Sequence, residues 1–405
     1  MKVSAQCSDK EANVMNFEQI KEINNSSAMP TYGRYELAIA SGKGAVAKDF
    51  DGKEYIDFTS GIGVNCLGYA DEGWAEAVSA QAHTLSHISN LYYCEPTAKL
   101  TKELTKATGF DKAFLGNSGA EANECAIKLA RKYSFDKYGE GRYEIISLNS
   151  SFHGRTMNTL TATGQDALHP ACFAPYPQGF VYCEKELEAI KAAINEKTCA
   201  VMMEMIQGEG GVIPLDKDFV NAVYALAKEK DILVIIDEVQ TGIGRTGTLL
   251  AFENYGIKPD IVTLAKGLGG GLPIGACLCT AELGATMGAG SHGSTFGGNP
   301  IVCAGASYVL KMVNNPDFLA TVKANGDYIR EKLSSFKNVK SIRGMGLMIG
   351  IEVENKTGAD VVKKAIENGV ICLTAKTLVR LLPPLNITKE EIDLGLERLK
   401  AVIEE

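Results

Sequence analysis

The chain has 405 residues, 45% of them hydrophobic and 22% charged, a balance that suits a globular enzyme with one large and one smaller domain. Its formal net charge of −8 gives no electrostatic case for binding nucleic acid or an anionic membrane. The 11 cysteines are dispersed, several in apolar runs, which points to free thiols in a reducing cytosol; Cys277-Leu278-Cys279 lacks metal-ligand spacing and histidine partners, so no metal site is expected.

Met1 to Ile20 carries charges throughout and no apolar core, unlike a signal peptide. The longest stretch free of Asp, Glu, Lys and Arg, Leu283 to Leu310, is glycine-rich and broken by His292, Asn299 and Pro300, so it offers no continuous bilayer span. A cytoplasmic protein is expected. A polar leader runs into a short amphipathic helix over Phe17 to Ile23. Ala45 to Phe58 reads as a hairpin turning at Asp51-Gly52. Trp74 to Lys106 is mostly helical in pattern, with a break expected near Pro96. A strand over Lys112–Gly116, a turn over Asn117–Ala120 and a helix over Glu121–Tyr133 follow, with Ala122, Cys125, Ala126, Leu129 and Ala130 on one helical face. Ser118, Gly119 and Ala120 therefore stand at a helix N-terminus, either as an ordinary serine cap or as a phosphate site.

Strands over Glu144–Leu148, Ala200–Ile206, Ile232–Asp237 and Asp260–Leu264 alternate with helices over Leu187–Ile194 and Phe219–Lys230, an α/β pattern with a mostly parallel sheet. Beyond Gly305 the spacing gives helices over Ala304–Val313, Leu319–Phe336 and Ala359–Asn368. Strands are expected over Leu347–Val353, Val370–Leu373 and Leu378–Leu382, with a closing helix from Lys389. The expected organisation is a large domain over 61–304 and a smaller α+β domain over 305–405, joined by the N-terminal segment 1–60.

Two strand ends carry chemistry. The apolar run Ile261 to Ala265 reads as a buried strand ending at Lys266, followed at once by the glycine-rich turn Gly267 to Gly271. A desolvated lysine favours its neutral, nucleophilic amine and can form a Schiff base with an aldehyde cofactor. The run Ile232 to Ile236 ends in Asp237 and Glu238, carboxylates at the C-terminal end of a buried parallel strand, where α/β sheets bind ligands. A pyridoxal phosphate site needs both elements, a lysine for the aldehyde and an acid facing the pyridine nitrogen.

The motifs Asn117-Ser118-Gly119-Ala120-Glu121-Ala122-Asn123-Glu124, Ser151-Phe152-His153-Gly154-Arg155-Thr156, Ile236-Asp237-Glu238-Val239-Gln240, Ala265-Lys266-Gly267 and His292 to Pro300 resemble those of the fold-type I, class III pyridoxal 5'-phosphate aminotransferases. The likeness runs from about Met29 to the C-terminus, and within the class it points to enzymes acting on N-acylated diamino acids. It implies that Lys266 holds the cofactor and shuttles the proton, that Asp237 pairs with the ring nitrogen, and that Gln240 bonds the ring hydroxyl. Glu238 and Val239 belong to the same cofactor-binding segment, Phe152 would stack on the ring, and Ser118, Gly119 and Ala120 would take the phosphate. Thr295 would reach that phosphate from a second subunit, which implies a homodimer. Arg155 and Ser294 would meet substrate, and Glu209 and Arg380 would pair with each other beside it.

Two positions depart from the pattern: Tyr69 stands where the class usually has histidine, and Met205 where proline is common. Ile62 falls where ornithine-specific members carry a tyrosine. The implied reaction moves a terminal amino group from N2-acetylornithine to 2-oxoglutarate. Ornithine, succinylornithine, succinyldiaminopimelate or 4-aminobutyrate as donor, or an aminomutase, are the alternatives. A remote one is a dinucleotide site at Gly242-Ile243-Gly244-Arg245-Thr246-Gly247, weakened by the two acids ahead of it.

Overall fold

The computed structural model describes residues 15–405, so the polar leader up to residue 14 lies outside the described residues. In chain order the strands are β1 (Ile39–Lys43), β2 (Val46–Asp49), β3 (Glu54–Asp57), β4 (Lys112–Gly116), β5 (Glu144–Leu148), β6 (Phe180–Cys183), β7 (Thr198–Met203), β8 (Ile206–Gln207) and β9 (Ile213–Pro214). They continue with β10 (Leu233–Asp237), β11 (Ile261–Leu264), β12 (Gly275–Cys279), β13 (Val339–Met345), β14 (Met348–Val353), β15 (Val370–Ile371), β16 (Leu373–Ala375) and β17 (Leu378–Leu381).

Seven of these form the central sheet in the order β4-β12-β11-β10-β7-β5-β6. The strands from β11 to β6 are parallel, and β12 runs antiparallel to both β11 and β4. The unbroken apolar runs that identified β7, β10 and β11 are buried along nearly their whole length, as parallel strands covered on both faces must be. The helix Gly119–Tyr138 packs against β4, β11 and β12, with Ala122, Cys125, Ala126, Leu129 and Ala130 all buried. Register places Asp237 at the end of β10 directly beside Thr263 of β11.

There are two further four-stranded sheets. The expected hairpin is present as β2 and β3, antiparallel, with Val46 opposite Ile56. Strand β15 from the C-terminal part adds parallel to β3, pairing Val370 with Ile56, so the two ends of the chain share the sheet β1-β2-β3-β15. The other sheet, β13-β14-β17-β16, carries Arg380 on β17 between Gly350 of β14 and Leu373 of β16.

Several expectations shift. The helical stretch divides into helices over Glu72–Thr84 and Glu95–Thr108, and Pro96 opens the second one. Proline suits a first turn because the N–H it lacks would have no partner there. The single strand expected over Ala200–Ile206 ends at Met203, and the chain resumes as the short β8–β9 ribbon. The boundary expected at 304/305 falls inside the helix Pro300–Val313, which packs on both preceding helices and on the turn at Lys266. The glycine-rich Gly242–Gly247 run opens no helix after β10; Ile243 and Gly244 take left-handed backbone, and buried Arg245 donates to the carbonyls of Leu347 and Pro383. That is a brace between distant segments, not a dinucleotide turn. No helix among the described residues is long and apolar enough to cross a membrane.

Candidate active site

The C-terminal ends of β10 and β11 open into a cavity of about 450 Å³. Lys266, Asp237, Val239, Gln240, Ser118, Gly119, Ala120, Phe152 and Arg155 all line it. The chain folds this way locally because β11 stops at Leu264 and the next two residues leave extended pairing: Ala265 has φ −167° and Lys266 has φ +44°. A left-handed conformation costs a non-glycine residue on the order of 1–3 kcal/mol, and such residues cluster at functional sites. The expected strand end at Lys266 is thus a sharp turn that projects the amine into the cavity. Burial pulls the Lys266 ammonium below its ordinary pKa, Arg380 adds to that, and Glu209, Asp237 and Glu204 only partly offset it. A neutral amine is favoured there.

Asp237 is 4% exposed. Its Oδ2 accepts from Asn123 Nδ2 and from His153 Nδ1, both at 2.8 Å, and its Oδ1 accepts from the Val239 N–H at 3.0 Å. Burial alone would disfavour the imidazolium, but the Asp237 hydrogen bond, with the Asp237 and Glu204 charges, moves His153 above its ordinary value. Glu204 accepts from the Phe152 N–H at 2.9 Å, and burial pushes its carboxyl up to about 7.

Ser118 caps the helix Gly119–Tyr138, accepting from Glu121 N at 3.2 Å. The first backbone bond of that helix runs from Ala122 N to Ser118 O, so the N–H groups of Gly119 and Ala120 face the cavity ahead of it. Glycine is required at Gly119 and Gly275 by close approach: a Cβ at the first would stand 2.6 Å from Val239 Cγ1, and at the second 2.1 Å from the Ser118 carbonyl oxygen.

At the rim, Arg380 Nη1 donates to Glu209 Oε1 at 2.6 Å and to Gln240 Oε1 at 3.1 Å. Arg380 is 3% exposed, and Glu209, in the turn between β8 and β9, keeps 33% of its side chain exposed. Burial opposes the Glu209 carboxylate, but Arg380 and Lys266 hold it below the ordinary range. Gln240 is thereby drawn into the ion pair. The Arg155 guanidinium lies 5.6 Å from the centroid of the Phe152 ring.

Three sequence-derived residues stand apart from this cavity. Glu238 faces the other side of its strand end: its carboxylate accepts from Thr241 Oγ1 at 2.6 Å and from Phe252 N at 2.8 Å, and burial pushes it up to about 7. Neighbouring residues of an extended segment point to opposite faces, so Asp237 and Glu238 cannot share one site. Thr295 is exposed, on a loop outside the cavity lining, and Ser294 reaches the cavity only through Asn117, whose Nδ2 donates to Ser294 Oγ at 2.8 Å. The sequence reading did not single out Asn123, His153 or Glu204; a polar residue on an alanine-rich helix face and a glutamate closing a buried strand were the available signals.

The donor set suits pyridoxal 5'-phosphate: a desolvated amine, a buried carboxylate lining the cavity whose Oδ1 has a single backbone donor, and a helix N-terminus whose backbone two glycines leave accessible.

A family model for aminotransferase class-III matches residues 28–403. An acetylornithine aminotransferase of Haemophilus ducreyi is 52% identical over 394 residues, 96% of this chain and 100% of that protein. A succinylornithine transaminase of Photorhabdus laumondii is 44% identical, covering 93% of this chain and 95% of that protein. The crystal structure of an ornithine aminotransferase from Toxoplasma gondii superposes with a TM-score of 0.92 at 29% identity, covering 100% of this chain and 98% of that one.

Proposed function

Because the chain belongs to the class-III aminotransferases, fold-type I enzymes dependent on pyridoxal 5'-phosphate, we propose that it moves the terminal amino group of N2-acetylornithine to 2-oxoglutarate. The products are N-acetylglutamate 5-semialdehyde and glutamate, a step of arginine biosynthesis. One observation carries the choice of donor: the full-length likeness to the Haemophilus ducreyi enzyme.

The bound cofactor supplies an aldehyde and an electron-withdrawing ring. The chain's residues do the rest. Lys266, uncharged when desolvated, holds the cofactor and then takes a proton from the carbon bearing the donor's amine and returns one. Asp237, held in place by its hydrogen-bond donors, would face the ring nitrogen. Gly119 and Ala120 offer backbone N–H groups, with the Ser118 hydroxyl, to the phosphate. Val239 and Phe152 would bound the ring, and Gln240 would serve its hydroxyl. Arg155 clamps the donor's α-carboxylate. Arg380 takes the α-carboxylate of glutamate, and Glu209 masks it while the acyl donor is bound.

Thr295 contributes to the phosphate site of a second copy in a homodimer. Support comes from Leu91, Tyr92 and Phe296, large apolar side chains at 88%, 66% and 62% exposure, with Phe296 packed on His87 of the 85–94 segment. The sheet containing Arg380 and the sheet whose strand β11 leads into Lys266 belong to a small and a large domain that meet at the site, and the enzyme works in the cytoplasm.

Donor choice is tested by specificity constants for acetylornithine, succinylornithine, ornithine and 4-aminobutyrate with 2-oxoglutarate as acceptor. Acetylornithine is expected to lead. An equal or higher value for free ornithine overturns the assignment.

A further inference from the structure

Asp237 offers the cavity one oxygen because its other oxygen is fully engaged. Oδ2 takes two donors, Asn123 Nδ2 and His153 Nδ1, each at 2.8 Å. The Asn123 amide cannot flip without loss. Thr263 Oγ1 donates to Asn123 Oδ1 at 2.7 Å, which leaves Nδ2 as the donating end, and Nδ2 also donates to the His153 carbonyl at 2.7 Å. Thr263, Asn123 and His153 are each at most 2% exposed and come from a strand, a helix and a loop. Oδ1 has one backbone donor, Val239 N–H, and a second lone pair left for a cavity ligand.

We propose that Thr263, Asn123 and His153 form one positioning unit that saturates Asp237 Oδ2 and thereby fixes Oδ1 as the single acceptor presented to the ring nitrogen of the cofactor. The proposal rests on Asp237 facing that nitrogen. A carboxylate held by two side-chain donors and one backbone donor cannot rotate its Oδ2 into the cavity without giving up those bonds. A charge-assisted bond to a protonated ring nitrogen then forms without reorganisation. Among the described residues His153 Nε2 is buried without a partner, so there the ring makes its side-chain hydrogen bond through Nδ1. The upward shift of His153 agrees, since a donor held against a carboxylate keeps its proton.

The test compares two ligands that differ at one atom. Cofactor-free enzyme is titrated by fluorescence with pyridoxal 5'-phosphate and with its 1-deaza analogue, in which carbon replaces the ring nitrogen. Wild-type enzyme is expected to bind the natural cofactor about tenfold or more tightly than the analogue, the ratio of one charge-assisted hydrogen bond. In His153→Leu that ratio should fall toward one, while His153→Asn, whose amide can donate from nearly the same place, should keep it within about threefold of wild type. Thr263→Val, close in shape, removes only the anchor of the Asn123 amide and should lower the ratio by about threefold. It supplies the answer where His153→Leu does not fold. Equal weakening of both ligands, with the ratio unchanged in Thr263→Val and, where it folds, in His153→Leu, overturns the positioning unit and reduces these residues to packing. A wild-type ratio near one overturns instead the placement of Asp237 at the ring nitrogen, and the proposal with it.

Discussion

The floor and the rim of the cavity are both built from buried charge, and they are built oppositely. At the floor, Asp237 is held by three donors from a helix, a loop and its own strand end, and it is 4% exposed. At the rim, Arg380 is as deeply buried, but its carboxylate partner Glu209 sits in the turn of a two-stranded ribbon and keeps a third of its surface in solvent. Gly210 beside it has the Ser150 carbonyl within 2.6 Å of its would-be Cβ, and Gly211 has φ +115°, so that turn tolerates little besides glycine. A fixed floor suits a cofactor that stays, whereas an ion pair with one accessible member suits a site that must receive two different substrates in turn. Arg380 itself is buried, so leaving it without a carboxylate partner is costly.

The largest expected effect breaks the floor. Lys266→Ala should abolish both half-reactions, by more than about 10⁴-fold, because proton transfer and cofactor attachment go together. The fold should survive: the cofactor-free variant's melting temperature should move by no more than about 2–4 °C, the shift of a 1 kcal/mol change in a large chain. Near-normal turnover would remove Lys266 from the chemistry.

A smaller and asymmetric effect breaks the rim. Glu209→Ala leaves Arg380 permanently open, with Gln240 Oε1 still beside it. The glutamate half-reaction should hold or accelerate, while the acetylornithine half-reaction should slow by about 10–100-fold, the worth of roughly 1.4–2.8 kcal/mol. Single-turnover absorbance of each half separates these outcomes. Equal slowing of both would make Glu209 a structural residue.

The floor was legible in the sequence and the rim only in part, for a physical reason. Lys266 and Asp237 stand out because buried parallel strands read as apolar runs, and a charge that ends such a run is conspicuous. The same logic finds Arg380 inside Leu378–Leu382. It cannot assign a direction: Glu238 is as conspicuous as Asp237, yet it turns away toward Thr241 and Phe252. Nor does it reach Asn123, whose partners Thr263, His153 and Asp237 lie 30 to 140 residues away along the chain. Strand β12 escaped because Gly275-Ala276-Cys277-Leu278-Cys279 lacks the β-branched and aromatic residues that mark strands, although it occupies the sheet beside β11. Its burial is a tertiary outcome.

A third change, at Ile62, tests donor selection from a residue outside the cavity lining. Ile62 is 42% exposed at φ +66°, following Gly61 at +65°. It offers a donor's α-ammonium no hydrogen bond, and burying an unpaired charge is costly, whereas an acylated nitrogen is neutral. Ile62→Tyr should raise the ornithine-to-acetylornithine ratio of specificity constants by about tenfold, one charged hydrogen bond. Tyrosine lacks the branched Cβ of isoleucine, so the left-handed backbone there is no more strained in the variant. An unmoved ratio would place donor selection elsewhere.

The smallest effect concerns the back of the floor. Glu238 carries a pKa pushed up to about 7 by burial, against an ordinary value of 4.5. The folded chain therefore holds this proton more tightly than the unfolded one does. The stability it contributes is fully present below about 4.5 and is lost as pH rises through about 7. Glu238→Gln keeps an acceptor for the Phe252 N–H and cannot ionise. The variant should lose less stability than wild type between pH 5 and pH 8, with a difference at pH 8 on the order of 2–3 kcal/mol. Glu204 is pushed up to about 7 as well, so the variant's decline should shrink without disappearing. Denaturant melts of cofactor-free protein at the two pH values measure this. Parallel declines in the two proteins would mean that Glu238 is ionised in the folded chain, and that the segment presenting Asp237 is braced from behind by a charge rather than by a neutral acid.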